Sequence, residues 1–379
     1  MRLWIAAGGT GGHVYPALAV VERIRVQGLG LEDQKLVESA IPNPQSEIIW
    51  IGGQGGVEES LVARANIPFI AIPAGGLHGV AILPALSSLI KLIAGTVKSM
   101  QLIGRYRPNV MFTTGGFVAA PVAVACWLRR VPVVEYLPDI EPGLAVKFVA
   151  RLATKIGVTT ADSIKYFQPG KVVVTGYPTR LHLAQADRAA ALERFELDRN
   201  RKTLLVFGGS KGARSINRAI GSILPDLLEK YQIIHISGST DAVEVQARRD
   251  QLPENLKAKY HLYEYVHDMG LALAAADLAV SRAGASILGE YPLFGLPSIL
   301  IPYPYAWRYQ KVNADYLASR GAAIRLSDDE TLSVKLPAEI DRLLQNDAEL
   351  QAMRVAARSL ARPDAAGKLA NEIQSAYAA

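Results

Sequence analysis

The chain has 379 residues, half of them hydrophobic and a fifth charged, which is the composition of a globular protein large enough for two domains. Its single cysteine, Cys126, excludes an internal disulfide and a cysteine-based zinc cluster. We find no signal-peptide pattern and no apolar run long enough to span a bilayer, so we expect a cytoplasmic protein without transmembrane helices. The net charge of +6 suggests an anionic partner, but not nucleic acid, because no basic run is interleaved with aromatic residues.

The first predicted strand, Leu3–Ala7, leads directly into a turn with four glycines in five residues, Gly8 to Gly12, and then into His13. Glycine allows the positive φ angles of an anion-binding nest, and the apolar spacing of Val14–Val26 predicts a helix after the turn. Strand, turn and helix N-terminus together predict a phosphate or pyrophosphate site. His13 lies at its edge, where an imidazole either exchanges a proton or only orders the loop. The spacing matches neither the Rossmann fingerprint nor the P-loop.

No acidic residue occurs between Glu59 and Glu135, a stretch that contains seven lysines and arginines. Within it, the segment from Leu77 to Lys98 combines apolar residues with two lysines. This composition is typical of a helix resting on an anionic bilayer surface. It also fits an ordinary packed helix whose lysines extend to solvent, and the pattern alone does not separate the two.

Short β-rich runs alternate with helical stretches in both halves, which predicts two α/β domains with parallel sheets. We place the N-terminal domain at 1–178, a linker at 179–200, the C-terminal domain at 201–355, and a helix at 356–379 that packs back on the N-terminal domain. The polar segment Gly28–Ser46 is predicted to be a surface loop. The predicted strands are Leu3–Ala7, Ile48–Ile51, Phe69–Ile72, Val110–Thr113, Val131–Val134, Ile156–Val158, Val172–Thr175, Leu204–Phe207, Ile233–Ile236, Leu262–Val266, Leu278–Val280, Ser298–Ile301 and Ala323–Leu326.

The second half repeats the glycine turn and adds a cluster of polar residues. Ligands of such domains bind beyond the carboxyl ends of the strands, so we expect both glycine turns to line a cleft. In Ser281–Glu290, small residues begin a helix whose N-terminus suits a phosphate. Arg282 can add a bidentate contact to that phosphate, and the Glu290 carboxylate can accept hydrogen bonds from ribose hydroxyls. Ser281 as a simple helix cap, with Glu290 as a surface acid, is the alternative. The amide of Gln310 suits vicinal sugar hydroxyls.

These motifs, in this order and spacing, resemble the family 28 glycosyltransferases of peptidoglycan synthesis. The resemblance runs nearly end to end and is carried by Gly8–Pro16, Thr114–Phe117, Gly208–Asn217, Ser281–Glu290 and the Gln310 loop. It implies the α/β GT-B fold, in which two Rossmann-like domains face each other across a cleft. It also implies inverting transfer of N-acetylglucosamine from UDP-N-acetylglucosamine to undecaprenyl-pyrophosphoryl-N-acetylmuramoyl-pentapeptide (lipid I), with neither cofactor nor metal. The enzyme would lie on the cytoplasmic face of the plasma membrane, with the Leu77–Lys98 region as its docking segment.

The resemblance further implies roles for individual residues. The acceptor pyrophosphate would be held by Thr10, Gly11, Gly12, Gly115 and Gly116. The donor phosphates would contact Ser210 and Arg282, and the backbone of Val266 would pair with uracil. Phosphate and ribose would be bound by Ala285, Ser286, Ile287, Leu288, Gly289 and Glu290. Gln310 would bind the sugar hydroxyls, His13 would lie near the acceptor hydroxyl, and Arg180 would lie at the domain junction.

The sequence departs from the family pattern mainly on the acceptor side. Tyr136-Leu137-Pro138-Asp139 replaces the usual His-Glu-Gln-Asn, and only Asp139 keeps a polar side chain in the place of the asparagine. Phe117 stands where the family usually has tyrosine, and Tyr177 stands where it usually has the asparagine of Gly-Asn-Pro. Tyr309 stands where the family commonly has glutamine or histidine. For the general base we favour His13 and keep Asp139 as second choice, because either could reach a bound hydroxyl. We interpret the metal-like Asp139-Ile140-Glu141 as loop acidity or an acceptor contact, with metal binding as the lesser alternative.

Three alternatives stay open at this point. The chain could transfer a sugar from a UDP-sugar to a different lipid acceptor, which the altered Tyr136–Asp139 segment would support. It could instead be a non-catalytic UDP-sugar-binding protein at the membrane. A UDP-sugar 2-epimerase has the same architecture, but we would expect more carboxylates around its sugar.

Overall fold

In the computed structural model the chain is described at residues 1–9, 11–29, 47–56, 58–74, 82–209, 212–305 and 308–378. Thr10, Ser210, most of the predicted surface loop and the start of the Leu77–Lys98 region lie outside the described residues. The chain divides into two compact units, one formed by Met1–Leu181 with Pro363–Ala379 and the other by His182–Arg362. None of the described helices is long and apolar enough to cross a membrane.

Unit 1 is built on a seven-stranded parallel sheet with the order β3-β2-β1-β4-β5-β6-β7. Its strands are β1 (Arg2–Ala7), β2 (Glu47–Gly53), β3 (Phe69–Ile72), β4 (Val110–Gly115), β5 (Val133–Leu137), β6 (Lys155–Val158) and β7 (Val172–Val174). Its helices are α1 (Gly11–Leu29), α2 (Glu58–Arg64), α3 (Ile82–Tyr106), α4 (Ala119–Leu128), α5 (Leu144–Leu152) and the C-terminal α16 (Ala365–Ala378), with a 3₁₀ turn at Ala161–Tyr166. Alternate strand residues enter two apolar cores, one on each face of the sheet.

The C-terminal helix α16 belongs to unit 1, where it contacts α1, β4 and β5. Leu369, Ala370 and Ile373 are fully buried and belong to the same core as Leu3 and Ile5 of β1. The last helix of the sequence therefore completes the packing on one face of the first sheet.

Strand β5 extends to Leu137, three residues beyond the predicted end at Val134. The prediction was wrong here because Glu135 reads as a surface residue, whereas its side chain is fully buried. Burial raises the pKa of the Glu135 carboxyl well above its usual range. Within the described part of the chain neither of its oxygens has a hydrogen-bond partner.

Unit 2 contains a six-stranded parallel sheet with the order β10-β9-β8-β11-β12-β13. Its strands are β8 (Thr203–Phe207), β9 (Gln232–Ile236), β10 (Tyr260–Tyr263), β11 (Leu278–Ser281), β12 (Ser298–Leu300) and β13 (Ala323–Arg325). Its helices are α6 (Arg188–Arg194), α7 (Arg214–Gly221), α8 (Leu224–Lys230), α9 (Ala242–Asp250), α10 (Glu254–Lys257), α11 (Met269–Ala275), α12 (Ile287–Phe294), α13 (Tyr309–Ala318), α14 (Leu332–Gln345) and α15 (Asp347–Ser359). A 3₁₀ turn at Leu181–Gln185 precedes them.

Residues 179–200, which we expected to form a linker, include helix α6 of unit 2. Asp187 caps this helix by accepting hydrogen bonds from the N–H groups of Ala189 and Ala190. The guanidinium of Arg188 bonds to the Asp277 carboxylate at 3.1 Å and to the carbonyl of Ala275 at 2.9 Å. The charges that suggested a solvated linker are thus used to cap a helix and to fix it to α11.

In both sheets the strand order reverses beside the first strand, between β1 and β4 in unit 1 and between β8 and β11 in unit 2. Ligands of parallel α/β sheets bind at such switch points, beyond the carboxyl ends of the strands. Gly8 and Gly115 lie at the first switch point, and Gly208 and Arg282 lie at the second. The topology therefore brings together, within each unit, motifs that are far apart in the sequence.

Candidate active site

The two glycine turns of unit 1 pack directly on each other. Gly116 has a φ of +94°, and a Cβ at this position would overlap the carbonyl oxygen of Gly8. Gly115 has a φ of +104°, and a Cβ there would lie 3.1 Å from Cδ2 of the His13 imidazole. Both positions require glycine, because a side chain would be strained by the backbone and would also push the two turns apart. Gly11 and Gly12 open helix α1 beside them.

His13 lies in the first turn of α1, where its imidazole hydrogen-bonds to the Gly8 carbonyl. The hydroxyl of Thr114 donates to the His13 carbonyl at 2.5 Å, so the backbone is also tied to the end of β4. Desolvation lowers the pKa of His13, while the negative charge of Asp139 and the Gly8 hydrogen bond act in the opposite direction. The imidazole is therefore neutral near pH 7 and able to accept a proton.

Asp139 follows strand β5 and is held in place through its neighbours. The Thr159 hydroxyl lies 2.7 Å from the Pro138 carbonyl, and the Ser163 hydroxyl donates to the Ile140 carbonyl at 2.8 Å. These contacts fix the backbone on both sides of Asp139, whose charge acts on His13. Within unit 1 the two candidate bases therefore lie close enough for the charge of Asp139 to affect the pKa of His13.

Glu58 was missed by the sequence reasoning, although it is the side chain most closely associated with the first glycine turn. It is 2% exposed, and its carboxylate accepts hydrogen bonds from the N–H of Gly9 at 3.2 Å and from the N–H of Gly53 at 2.9 Å. A second cluster of glycines just before α2, Gly52 to Gly56, is the only sequence signal that this acid lies among close-packed backbone groups.

Arg180 lies at the end of unit 1, just before unit 2 begins at His182. Its guanidinium stacks over the Tyr15 ring at 5.1 Å, and its charge acts on the partly desolvated Glu22 carboxyl of α1. Glu22 also accepts a hydrogen bond from the Leu181 N–H at 3.3 Å. Arg180 thus holds the chain to the outer part of helix α1.

In unit 2, the guanidinium of Arg282 is directed into the protein. It pairs with the Asp328 carboxylate at 2.7 Å, donates to the Ile301 carbonyl at 3.1 Å and donates to the Ser215 hydroxyl at 3.0 Å. Ser215 in turn donates to Asp328 at 2.9 Å. These partners indicate that Arg282 fixes the segment between β11 and α12, which differs from the direct phosphate contact that we expected.

Most side chains at the start of helix α12 are buried. Ala285, Ile287 and Leu288 are each at most 9% exposed. Gly284 has open space where a Cβ would stand, while Ser286, Gly289 and Glu290 keep partial exposure. The Ser281 hydroxyl lies 2.6 Å from that of Tyr291, so it does not cap α12.

Gln310 and Asn313, on the first turns of α13, hold two loops of the site. The Gln310 side-chain oxygen accepts a hydrogen bond from the Tyr303 N–H at 2.9 Å. The Asn313 amide donates to the Ala283 carbonyl at 3.2 Å. The Gln310 oxygen thus fixes the loop at Tyr303 and keeps one acceptor lone pair, while its amide nitrogen keeps two donors.

Val266 lines a cavity of about 180 Å³ at the end of strand β10. Strand β10 ends at Tyr263, earlier than predicted, so Val266 belongs to a loop and not to the strand. The prediction of a longer strand was wrong because the exposed Glu264 and Tyr265 already lie outside the sheet. The cavity is lined by Arg194, Phe195, Tyr263, Tyr265, Val266, His267, Asp268 and Leu271.

A buried polar network supports the second glycine turn and was not predicted. The two ring nitrogens of His235 lie 2.6 Å from the Tyr260 hydroxyl and 3.0 Å from the Asn217 side-chain oxygen. Asn217 also donates to Asp241, which pairs with Arg214 at 2.9 Å. Among the described residues, no cluster of three or more histidine, cysteine or acidic side chains is arranged to hold a metal ion.

Two parallel-sheet α/β units, each with a glycine turn at its topological switch point, define the class as GT-B glycosyltransferases. Two family models match the chain, the glycosyltransferase family 28 N-terminal domain at residues 3–158 and the C-terminal domain at residues 203–369. The chain therefore belongs to glycosyltransferase family 28. The predicted fold class and family are both confirmed.

Individual relatives agree with this assignment. A protein of Roseiflexus sp. (strain RS-1), named UDP-N-acetylglucosamine--N-acetylmuramyl-(pentapeptide) pyrophosphoryl-undecaprenol N-acetylglucosamine transferase, is 43% identical and aligns with 98% of this chain and 94% of its own. The crystal structure of Acinetobacter baumannii MurG has a TM-score of 0.74 at 25% identity and covers 99% of both chains. UDP-GlcNAc 2-epimerase from Neisseria meningitidis has a TM-score of 0.65 at 12% identity and coverage of 99% and 100%, which shows a shared fold alone.

Proposed function

We propose that this chain transfers N-acetylglucosamine from UDP-N-acetylglucosamine to lipid I, forming the disaccharide lipid (lipid II) of peptidoglycan synthesis. The observation that carries the proposal is the 43% identity to the Roseiflexus transferase, which extends over 98% of the chain and so includes both units. A different lipid acceptor and a non-catalytic binding role are less favoured, because the relative named for this reaction matches the acceptor-side unit as well as the donor-side one.

His13 is the proposed general base of the reaction. The acceptor hydroxyl gives its proton to the neutral imidazole as its oxygen bonds to the anomeric carbon, while the bond from that carbon to the UDP oxygen breaks. The Asp139 charge, which favours the protonated imidazole, stabilises the imidazolium that forms. The acceptor pyrophosphate is assigned to the N-terminus of α1 with Gly11, Gly12 and the Gly115 turn, because backbone N–H groups and the helix dipole favour an anion there.

The donor is assigned to the switch point of unit 2. Negative charge developing on UDP is stabilised by the backbone at the start of α12, Ala285 to Gly289, which Arg282 holds in position through its own network. Glu290 is assigned to the ribose, Gln310 to the sugar and the cavity beside Val266 to the uracil base.

The proposal is tested by measuring transfer of radiolabelled N-acetylglucosamine to a short-chain lipid I analogue. We expect labelled disaccharide lipid from the wild type, with and without EDTA, and roughly 10²- to 10⁴-fold slower transfer by His13→Ala. Binding of UDP-N-acetylglucosamine by calorimetry is the control, and it should be unchanged in the variant. If the wild type binds the donor but gives no product with lipid I, the proposed acceptor is wrong and other polyprenyl lipids become the candidates.

We also propose that helix α3 docks on an anionic membrane surface. From Leu89 onwards its side chains can be described, and Leu89, Ile90, Ile93 and Val97 are all at least 50% exposed. Lys91 and Lys98 are exposed beside them, while Gly95, Ser99, Leu102 and Ile103 are buried towards the protein. An apolar stripe that faces outwards and is flanked by lysines fits a bilayer interface, where the apolar groups insert and the lysines meet phosphates.

Vesicle sedimentation tests the docking proposal. We expect the wild type to bind vesicles that contain phosphatidylglycerol and to bind pure phosphatidylcholine vesicles more weakly. Ile93→Glu should reduce binding to the anionic vesicles, whereas Val243→Glu, at an 86% exposed apolar position of unit 2, should not. Equal binding by both variants would contradict the assignment of α3 as the docking segment.

A further inference from the structure

Glu58 and His13 bond to opposite ends of one peptide group. The N–H of Gly9 donates to the Glu58 carboxylate at 3.2 Å, and the carbonyl of Gly8 accepts from the His13 imidazole. Gly8 C=O and Gly9 N–H belong to the same planar amide, so the carboxylate, the amide and the imidazole form one continuous hydrogen-bonded chain. The other carboxylate oxygen is fixed by the Gly53 N–H at 2.9 Å.

The surrounding glycines make room for this arrangement. A Cβ at Gly8 would stand 2.5 Å from the Glu58 carboxylate, and one at Gly56 would overlap the same group. On the opposite side, a Cβ at Gly116 would overlap the Gly8 carbonyl oxygen. The Gly8–Gly9 amide is therefore enclosed between the Glu58 carboxylate and the Gly116 backbone. Part of the glycine content that suggested a ligand nest serves instead to admit a protein carboxylate.

We propose that Glu58 is a positioning residue for His13, acting through the Gly8–Gly9 amide. A carboxylate that accepts from an amide N–H polarises the amide, which makes its carbonyl a stronger acceptor for the imidazole N–H. That bond selects one ring tautomer and one ring orientation, and so decides which ring nitrogen carries the proton before the reaction. This inference rests on the proposed function, in which His13 is the base.

The first test compares Glu58→Gln with Glu59→Gln, which removes the same charge from an exposed neighbour on the same helix. We expect Glu58→Gln to lower kcat roughly 10- to 100-fold with an unchanged KM for UDP-N-acetylglucosamine, and Glu59→Gln to have no effect. The same substitution in a His13→Ala background should cause no further loss of kcat, because the residue through which Glu58 acts is gone. An equal loss in both backgrounds would overturn the proposal in favour of a general structural role.

The second test reads the imidazole directly and needs no turnover. Long-range ¹H–¹⁵N spectra of protein labelled at histidine nitrogen, with His13 assigned by its absence in His13→Ala, report the ring tautomer. We expect one dominant tautomer in the wild type and in Glu59→Gln, and a mixture in Glu58→Gln. Glu58→Asp, which keeps the charge on a shorter side chain, should be intermediate and serves if Glu58→Gln does not fold. If a folded Glu58 variant shows an unchanged His13 spectrum, Glu58 does not position His13 and the inference is refuted. If the wild type is inactive with lipid I but the tautomer spectra change as expected, only the proposed reaction is refuted.

Discussion

The buried His235 makes the stability of unit 2 depend on pH. Both of its ring nitrogens are engaged, by the Tyr260 hydroxyl at 2.6 Å and by the Asn217 oxygen at 3.0 Å, and the side chain is buried within unit 2. Burial lowers the pKa of His235 from 6.5 to about 4. The folded unit therefore holds the neutral ring, whereas the unfolded chain takes up a proton as the pH falls below 6.5. The contribution of His235 to stability is complete above the unfolded pKa and is lost as the pH falls from 6.5 to about 4.

The expected loss follows from the two pKa values by proton linkage. At pH 5 the unfolded imidazole is almost fully protonated and the folded one is not, so the free energy of unfolding should be about 2 kcal/mol lower than at pH 7.5. At pH 6 the corresponding loss is about 0.8 kcal/mol. Other groups also titrate in this range, and the measurement must separate His235 from them.

Urea unfolding of the wild type and of His235→Gln at several pH values makes this separation, with hydrogen exchange in β9 and β10 peptides reporting on unit 2. The variant should be less stable at pH 7.5, since its side chain cannot satisfy both partners, but the difference between the two proteins should shrink by about 2 kcal/mol on going to pH 5. The reasoning is refuted if the two stability curves stay parallel between pH 7.5 and 5.

Three further outcomes are expected. Gly116→Ala should abolish transfer and destabilise unit 1 by more than the roughly 1–2 kcal/mol of a left-handed backbone, because its Cβ also overlaps Gly8; Gly104→Ala, in open space on helix α3, should not destabilise the protein in urea, because alanine favours a helix more than glycine does. Asp328→Asn should destabilise unit 2 by roughly 3 kcal/mol in urea and raise the KM for the donor, since it leaves Arg282 without its carboxylate; unchanged values would contradict the network. Because burial lowers the pKa of His13, the acid limb of kcat/KM should fall below pH 6.5 and disappear with His13; a limb above pH 6.5 would contradict the lowered pKa, and a limb that persists in His13→Ala would exclude His13 as its source.

The sequence predicted the strands and the first glycine turn well, because these depend on local patterns. Short β-rich runs located Phe69–Ile72 to the residue and the ends of most other strands to within one or two residues. The errors arose where contacts with distant parts of the chain determine whether a charged residue is buried or exposed. The fifth strand was predicted to end at Val134 because the burial of Glu135 leaves no local signal. Arg188 was predicted to be part of a linker because its ion pair with Asp277 joins positions far apart in the chain.

The polar contacts of the candidate site were predicted less well for the same reason. His13 and Asp139 were identified from their types and positions, but Glu58 lies beyond an intervening strand from the turn that it binds. Arg282 was predicted to contact the donor phosphates, and the sequence does not show that its guanidinium pairs with Asp328 and Ser215. The spacing of a motif indicates which residues lie close together, whereas the direction in which a long side chain points is decided by partners elsewhere in the fold.

The structure also changes how the unusual Tyr136–Asp139 segment is understood. Tyr136 is fully buried, and its hydroxyl lies 2.6 Å from the Thr159 hydroxyl and 3.2 Å from the Gly176 carbonyl, so it cannot contact an acceptor. Leu137 is buried too, as the last residue of β5. Thr159 joins this core contact to the backbone before Asp139, because the same hydroxyl bonds to the Pro138 carbonyl. The departure from the family pattern is therefore largely an exchange of core residues that still places a polar side chain beside His13. It weakens the main sequence argument for a different acceptor.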